Sequence, residues 1–175
     1  MEPEKKAAFR DSFVELFNAH FQRIFRYLNR LSSDRELAAD VAQETFVKLY
    51  ERGSLPDMPE AWLITVAMNA WRNARTKGSR RMRLLTPARS EGMLSDPPTA
   101  PDEAAEADEL RSRVRSALVR MPERDRQVLL LRAEGYRYRE IAAALNIRGS
   151  SFGVILARAG RRFRELYEEG SRAPE

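Results

Sequence analysis

Apolar residues recur at intervals of three and four along most of the chain, which is the spacing that places side chains on one face of an α-helix. The predicted helices cover residues 8–31, with a break expected near residues 18–20, then residues 33–50, residues 59–83 and several shorter segments after residue 107. Gly53, Pro56 and Pro59 interrupt the pattern and predict a loop. The sequence therefore predicts an all-α protein.

Residues 33–50 carry two distinct faces on one predicted helix. The apolar face consists of Leu37, Val41, Ala42, Thr45, Phe46 and Leu49 and is expected in the core. A second stripe of acidic, amide and apolar side chains consists of Asp40, Gln43, Glu44 and Val47. Ser33 and Glu36 have the spacing of a capping box, which predicts that the helix begins at Ser33. From periodicity alone, the second stripe is either a solvated face or a docking face.

The second half of the helix predicted for residues 59–83 is strongly basic. No acidic residue occurs between Glu60 and Glu91, and Trp71 is expected to be exposed among the cations. The basic side chains are Arg72, Arg75, Lys77, Arg80, Arg81, Arg83 and Arg89. Solubility is usually achieved by mixing charges of both signs, so a run of one sign indicates contacts with phosphates.

The sign of the charge reverses in residues 91–109, which contain seven acidic side chains and no basic one. Pro97, Pro98 and Pro101 lie within this segment, and large apolar residues are scarce. Such a composition cannot bury enough surface to offset the entropy of ordering. We therefore predict an N-terminal domain over residues 1–85, a flexible linker over residues 86–107 and a C-terminal domain over residues 108–175.

The C-terminal domain contains the pattern of a helix-turn-helix. A helix is predicted to begin at Pro122 and to stop at Gly135, and a short helix with Ile141, Ala142 and Leu145 follows. In the turn "NIRGSS", Asn146 is expected to be left-handed, and Ser150 or Ser151 to cap the last helix. Cationic residues distinguish this pattern from a plain helical bundle, namely Arg148, Arg158, Arg161, Arg162 and Arg164.

Composition narrows the class of protein. A formal charge of +5 and a pI near 9.9 suit a polyanionic partner. The chain has no cysteine and one histidine, His20, so neither disulfides nor a usual zinc site is expected, and His20 is assigned no function. No apolar run is long enough for a membrane span or signal peptide, so we expect a cytoplasmic protein without membrane insertion. No catalytic constellation or nucleotide-hydrolysis motif is visible, so no enzyme and no cofactor are predicted.

Taken together, three segments resemble those of bacterial RNA polymerase sigma factors of the extracytoplasmic-function (ECF) group. "ELAADVAQETFVKLY" resembles the helix that docks on the polymerase, and "AWLITVAMNAWRNARTKGSRR" resembles the segment that opens the promoter. "LVRMPERDRQVLLLRAEGYRYREIAAALNI" resembles the domain that binds the upstream promoter element. The order of the three matches is that of the family, and together they cover nearly the whole chain.

The resemblance implies a function and partners. The chain would be an alternative sigma factor in a bacterial cytoplasm that binds core RNA polymerase and directs promoter recognition and transcription initiation. Asp40, Gln43, Glu44 and Val47 would contact the clamp helices of the largest subunit, and the C-terminal domain would contact the flap of the second-largest subunit. Promoter DNA is implied as a partner, and an anti-sigma factor is a further partner that the resemblance allows.

The resemblance also assigns DNA contacts. The minus-ten region would be held by Asn69, Arg72, Arg75, Lys77, Arg80 and Arg81, and the loop at residues 51–58 would hold a base flipped from the non-template strand. In the C-terminal domain, the minus-thirty-five region would be contacted by Arg148, Ser150, Ser151, Arg158, Arg161 and Arg162.

The chain departs from the family pattern at two places. Asn73 stands where the family usually has an aspartate, and Gly153, Val154 and Ile155 stand where the recognition helix usually has polar and basic residues. Two hypotheses follow. Either the cations grip phosphates while Val154 and Ala157 contact thymine methyls and the element is recognised mainly by its shape, or this helix has turned toward protein contacts.

Two other functions compete with a sigma factor. An ordinary helix-turn-helix regulator would be a dimer that binds palindromic sites. A sigma-like interaction adaptor with weakened DNA binding would keep the fold without directing transcription.

Overall fold

The computed structural model describes residues 2–82 and 101–172, and side chains for residues 6–77 and 106–170. The described residues form seven helices and no strand. The helices are α1 (Glu2–Ser32), α2 (Arg35–Arg52), α3 (Pro59–Met82), α4 (Pro101–Arg120), α5 (Glu123–Ala133), α6 (Tyr138–Ala144) and α7 (Gly149–Arg172). The predicted all-α class is confirmed.

The N-terminal domain consists of α1, α2 and α3, with α2 packed against both of the others. The break predicted near residues 18–20 is wrong, because α1 is continuous. Aromatic contacts to α2 hold α1 on both sides of that point: the ring of Phe46 lies 5.1 Å from that of Phe17 and 5.8 Å from that of Phe21. Without a glycine or proline in the segment, nothing opposes this packing.

The start of α2 differs from the prediction by one residue. Ser33 has φ 56°, so it occupies the left-handed region that ends α1, and it is not the N-cap. Asp34 has the extended backbone of an N-cap, and its Oδ1 accepts a hydrogen bond from the Leu37 amide at 3.0 Å. At the other end, Gly53 has φ 69° and closes the helix.

The C-terminal domain contains α4 to α7. The helix α5 follows Pro122 and is terminated at Gly135, where φ is 85°, as predicted. The helix α4 begins at Pro101, so the part of the predicted linker at residues 101–107 is helical. The rest of that linker, residues 86–100, lies outside the described residues.

The two domains pack against each other. Helix α1 contacts α5, and α3 contacts α6. The hydroxyl of Thr65 in α3 donates to the carbonyl of Ala144 in α6 at 3.5 Å. Among the described helices, none combines the length and the apolar character that a membrane crossing requires.

Candidate nucleic-acid and protein interfaces

The two faces predicted for α2 are both present. The buried residues are Ala38, Val41, Ala42, Thr45, Phe46 and Leu49. Leu37, expected in the core, is only half-buried. The second stripe is exposed in full, at Asp40, Gln43, Glu44 and Val47. Glu44 pairs with Lys48 at 2.6 Å, an exposed i,i+4 contact that a partner could displace at little cost.

Helix α3 exposes the described cations of its second half but buries Trp71. Trp71 is 2% exposed, so the prediction of an exposed aromatic is wrong. It extends the buried row formed by Ile64, Ala67 and Met68, and the guanidinium of Arg75 lies over its ring at 4.9 Å. The buried Trp71 ring therefore holds the Arg75 guanidinium in place by direct contact.

The predicted DNA-binding residues of α3 are exposed where side chains are described, at Asn69, Arg72, Arg75 and Lys77. Arg80 and Arg81 lie in the last turn of α3, and their side chains lie outside the described residues. The loop before α3 exposes two apolar side chains, Leu55 and Met58. The described surface of α3 thus presents cations along one side, next to a loop with apolar side chains.

Helices α6 and α7 have the predicted turn between them. Asn146 has φ 50°, which confirms the left-handed turn, and Ile147 and Phe152 are buried on either side of the start of α7. The predicted serine cap is wrong, because α7 begins at Gly149 and both Ser150 and Ser151 lie in its first turn.

The polar residues predicted to contact DNA from this domain are exposed, at Arg148, Ser150, Ser151, Arg158, Arg161 and Arg162. Val154 is also 69% exposed. The first turn of α7 therefore combines two hydroxyl groups with the positive end of the helix dipole, an arrangement that favours phosphate oxygens.

Arg158 has an ion pair within its own domain. Its Nη2 donates to Oδ1 of Asp125 at 2.6 Å and its Nε donates to Oδ2 at 3.2 Å. This hydrogen bonding, and the charge of Asp125, raise the pKa of Arg158. The Asp125 side chain is only 5% exposed, so the pair ties α7 to α5. Only the other edge of the guanidinium is left for a phosphate.

The sequence did not indicate which acids would pair with these cations. Asp125 and Glu123 resemble ordinary first-turn acids of α5, where the helix dipole favours negative charge. In the structure, Glu123 Oε1 lies 3.4 Å from Arg72 Nη2, and Glu123 Oε2 lies 3.7 Å from Arg75 Nη1. Glu123 thus reaches across the domain boundary to two of the predicted DNA-binding residues.

His20 lies at the same boundary. It is buried, its ring stacks on Tyr136 with centroids 5.9 Å apart, and its Nε2 lies 4.0 Å from Glu60. Burial and the nearby charge of Arg23 lower the pKa of His20, against the opposing effects of Glu60 and Glu140. Among the described residues, no three His, Cys, Asp or Glu side chains are grouped closely enough to hold a metal ion.

Comparison with known proteins identifies the family of this chain. The model of sigma-70 region 2 matches residues 16–81, and the model of sigma-70 region 4 matches residues 111–162. The chain is 32% identical over 168 residues to the RNA polymerase sigma factor CarQ of Myxococcus xanthus, covering 90% of this chain and 88% of that protein. It is 25% identical over 160 residues to the ECF RNA polymerase sigma factor SigM of Bacillus subtilis, covering 89% and 95%.

Solved structures share the fold. The sigma factor RpoE, crystallised with the anti-sigma factor NepR from Bartonella quintana, aligns with a TM-score of 0.67 at 21% identity over 91% of this chain and 98% of that chain. CnrH, in complex with the cytosolic domain of CnrY, aligns with a TM-score of 0.64 at 20% identity over 95% and 94%. The matched sequence regions, the relatives and the helical architecture agree: this chain belongs to the ECF group of the sigma-70 family of RNA polymerase sigma factors.

Proposed function

We propose that this chain is a transcription initiation factor that binds core RNA polymerase, brings it to a set of promoters and helps to separate the DNA strands. The proposal rests on the second stripe of α2, here called the acidic stripe, which consists of Asp40, Gln43, Glu44 and Val47. All four side chains are exposed, in a chain with a formal charge of +5. A face that contacts only water does not require its acidic side chains to be grouped in this way. Binding to a partner with a basic surface does require it.

The acidic stripe is the proposed contact with the polymerase. Asp40, Gln43 and Glu44 would pair with polar and basic side chains of the clamp helices, and Val47 would add an apolar contact. The opposite face of α2 is buried against α1 and α3, so the stripe rests on a rigid support. Rigid presentation reduces the entropy lost on binding.

Helix α3 and the loop before it are the proposed contact with the minus-ten region. Asn69, Arg72, Arg75 and Lys77 would hold the DNA backbone, together with Arg80 and Arg81 in the last turn. The exposed side chains of Leu55 and Met58 would pack against a base that has left the stack. Capture of unstacked bases provides the free energy for strand opening without nucleotide hydrolysis.

The first turn of α7 is the proposed contact with the minus-thirty-five region. Arg148, Ser150 and Ser151 would bind phosphates at the positive end of the helix dipole, and Arg161 and Arg162 would contact the flanking backbone. Val154, which is exposed, would contact a thymine methyl group. With Arg158 engaged by Asp125, recognition here would depend on DNA shape more than on hydrogen bonds to bases.

A protein inhibitor is a proposed further partner. Both similar solved structures are complexes, one of the sigma factor RpoE with the anti-sigma factor NepR and one of CnrH with the cytosolic domain of CnrY. An inhibitor of this chain would silence it by covering the acidic stripe of α2 or the start of α7. Copurification of a tagged chain from its native cell, before and after stress, would identify it.

Reconstituted transcription tests the proposal. Core RNA polymerase is combined with the chain on genomic fragments, and the 5′ ends of the transcripts are sequenced. We expect discrete starts that share sequence elements upstream and that disappear with core enzyme alone. Alanine at Arg72 and Arg75 should weaken opening, with alanine at the exposed Arg111 and Arg115 of α4 as a control matched in charge. A chain that yields no transcript beyond those of the core enzyme is not an initiation factor.

A further inference from the structure

A cavity of about 540 Å³ lies between α1 and α4, beside the start of α2. Its volume is within the range of small-molecule sites in proteins, about 300–1,000 Å³. Of the eleven described residues that line it, five are arginines and none is acidic. The arginines are Arg26 and Arg30 of α1, Arg35 of α2, and Arg111 and Arg115 of α4. None of the eleven belongs to α3 or α7, so the cavity is separate from the surfaces proposed to bind DNA.

The arginines reach the cavity in the same way from two helices. Arg26 and Arg30 are four positions apart in α1, and Arg111 and Arg115 are four positions apart in α4. Side chains at this spacing lie on one face of a helix, one turn apart. Each helix therefore directs a pair of cations toward the same space.

The acids that pair with these arginines do not neutralise the cavity. Glu134 pairs with both arginines of α1, at 2.9 and 2.5 Å. Asp108 pairs with Arg111 at 2.8 Å. Arg35 and Arg115 are exposed, and neither forms an ion pair with another described residue. Five guanidinium groups against two carboxylates leave an excess of three positive charges around one concave surface. These charges repel one another, and a bound anion would remove the repulsion.

The paired arginines of α1 can still bind an anion. Arg26 uses its Nε and Arg30 uses its Nη1 to reach Glu134, and both side chains remain 48% exposed. A guanidinium has five N–H donors, so each arginine keeps donors for a second acceptor. Phosphate groups fit such a site best, because a planar guanidinium can bind two phosphate oxygens at once.

The rest of the cavity is mostly apolar. Leu110, Val114 and Leu118 follow one another at intervals of four along α4, and Phe25 contributes its ring from α1. The guanidinium of Arg35 lies 5.8 Å from the centroid of the Phe25 ring. A ligand made of phosphate groups alone would leave this surface in contact with water. A ligand that also carries an aromatic ring would cover it.

One polar side chain of the cavity wall lacks a partner. Asn29 lies one turn after Phe25 in α1, and its Oδ1 is buried without a hydrogen-bond partner among the described residues. A buried acceptor without a donor is unfavourable. Nucleobases carry N–H groups that can donate to such an acceptor, and the exocyclic amino group of guanine is one of them.

We propose that this cavity binds a nucleoside polyphosphate, with the phosphate groups among the arginines and the base against Phe25, Leu110 and Val114. Duplex DNA fits the cavity less well, because a duplex is too wide to enter it and would leave the apolar wall uncovered. The proposal does not depend on the proposed function, since the cavity shares no residue with the surfaces assigned to promoter DNA or to the polymerase. Reconstituted transcription can therefore succeed or fail independently of it.

Calorimetric titration of the full chain with guanosine triphosphate (GTP), without polymerase and in a buffer free of phosphate and magnesium, tests the proposal. We expect GTP to bind at one site per chain and to raise Tm as its concentration rises, because it binds the folded chain. Inorganic triphosphate, which lacks the base, is titrated in parallel and should also bind. A chain that binds neither compound would overturn the proposal.

Two pairs of substitutions test the position of the phosphate groups. Arg35→Gln combined with Arg115→Gln should weaken both ligands at least about tenfold, because charge-assisted hydrogen bonds to phosphate are lost. Arg10→Gln combined with Arg124→Gln is the matched control, since it removes the same charge from two exposed arginines outside the cavity. Equal weakening by the two pairs would reduce the effect to net charge and overturn the site.

A substitution in the apolar wall tests the position of the base. Leu110 is 51% exposed, so Leu110→Ala shortens the wall without disturbing the core. The affinity for GTP should fall about threefold, and that for inorganic triphosphate should not change. Val119→Ala, in the same helix but outside the cavity, should leave both affinities unchanged. An unchanged affinity for GTP in Leu110→Ala would place the base elsewhere and overturn the proposal.

A short labelled duplex provides the test against a nucleic-acid site. GTP should not displace it, and the two pairs of arginine substitutions should weaken its binding to a similar extent. A duplex that competes with GTP and loses affinity only in the variant with Arg35→Gln and Arg115→Gln would assign the cavity to DNA and overturn the proposal.

Discussion

Replacing Gly153 by alanine should stabilise the C-terminal domain. Gly153 lies inside α7, and a Cβ built at this position meets no atom within 4 Å. The substitution therefore carries no steric cost, and it removes the backbone entropy that glycine loses in a helix. The expected gain is about 0.5–1 kcal/mol in the free energy of unfolding. For a domain of about 70 residues, this corresponds to a Tm about 2–8 °C higher.

Thermal unfolding followed by circular dichroism provides the measurement. Gly160→Ala is the matched control, since it lies two turns further along α7 and its Cβ also meets nothing within 4 Å. Both variants should raise Tm by a similar amount. Only Gly153→Ala should weaken binding to promoter DNA in the holoenzyme, because its methyl group is added beside Val154 in the proposed interface. A Tm that falls in Gly153→Ala would refute the reasoning, since it would require a contact that the structure does not have.

Three further outcomes are expected. The Tyr136 hydroxyl is buried without a hydrogen-bond partner among the described residues, so Tyr136→Phe should leave the free energy of unfolding unchanged or raise it by about 1 kcal/mol. A decrease in the free energy of unfolding by more than about 1 kcal/mol would show that the hydroxyl has a partner. Because the lowered pKa of His20 means that the folded chain binds its proton less readily than the unfolded chain, Tm should decline as the pH falls below about 6.5. His20→Gln should flatten that decline relative to the unmodified chain, and an identical pH profile would contradict it. Arg158→Gln should lower Tm measurably, whereas Arg161→Gln should not, because only Arg158 pairs with the buried Asp125 in its own domain. Equal Tm values for the two variants would contradict a structural role of Arg158.

Local features of the fold could be predicted from the sequence because local physics determines them. The left-handed Asn146 and the helix end at Gly135 follow from backbone preferences of single residues. The buried face of α2 follows from its spacing. The cationic neighbours of Trp71 predict an exposed ring, but Trp71 lies at helical intervals from Ile64, Ala67 and Met68 and is buried with them.

Pairs between distant residues could not be predicted. Glu134 meets Arg26 and Arg30 more than 100 positions earlier in the chain, and no local pattern distinguishes it from a solvated acid near a helix end. The same holds for Asp125 and Arg158, since the arginine lies among other cations of α7 and only packing selects one of them. For this reason, the sequence identified the cations of both candidate interfaces but not the acids that engage them.

The contact between the acidic stripe of α2 and the polymerase is the central claim, and an affinity measurement tests it most directly. The labelled chain carrying Asp40→Lys and Glu44→Lys is titrated with core RNA polymerase, and the control carries Asp11→Lys and Glu15→Lys, two exposed acids of α1 outside the stripe. The account predicts an affinity about 10- to 100-fold lower for the stripe variant, with the control close to the unmodified chain. Equal affinities for the two variants would contradict the account.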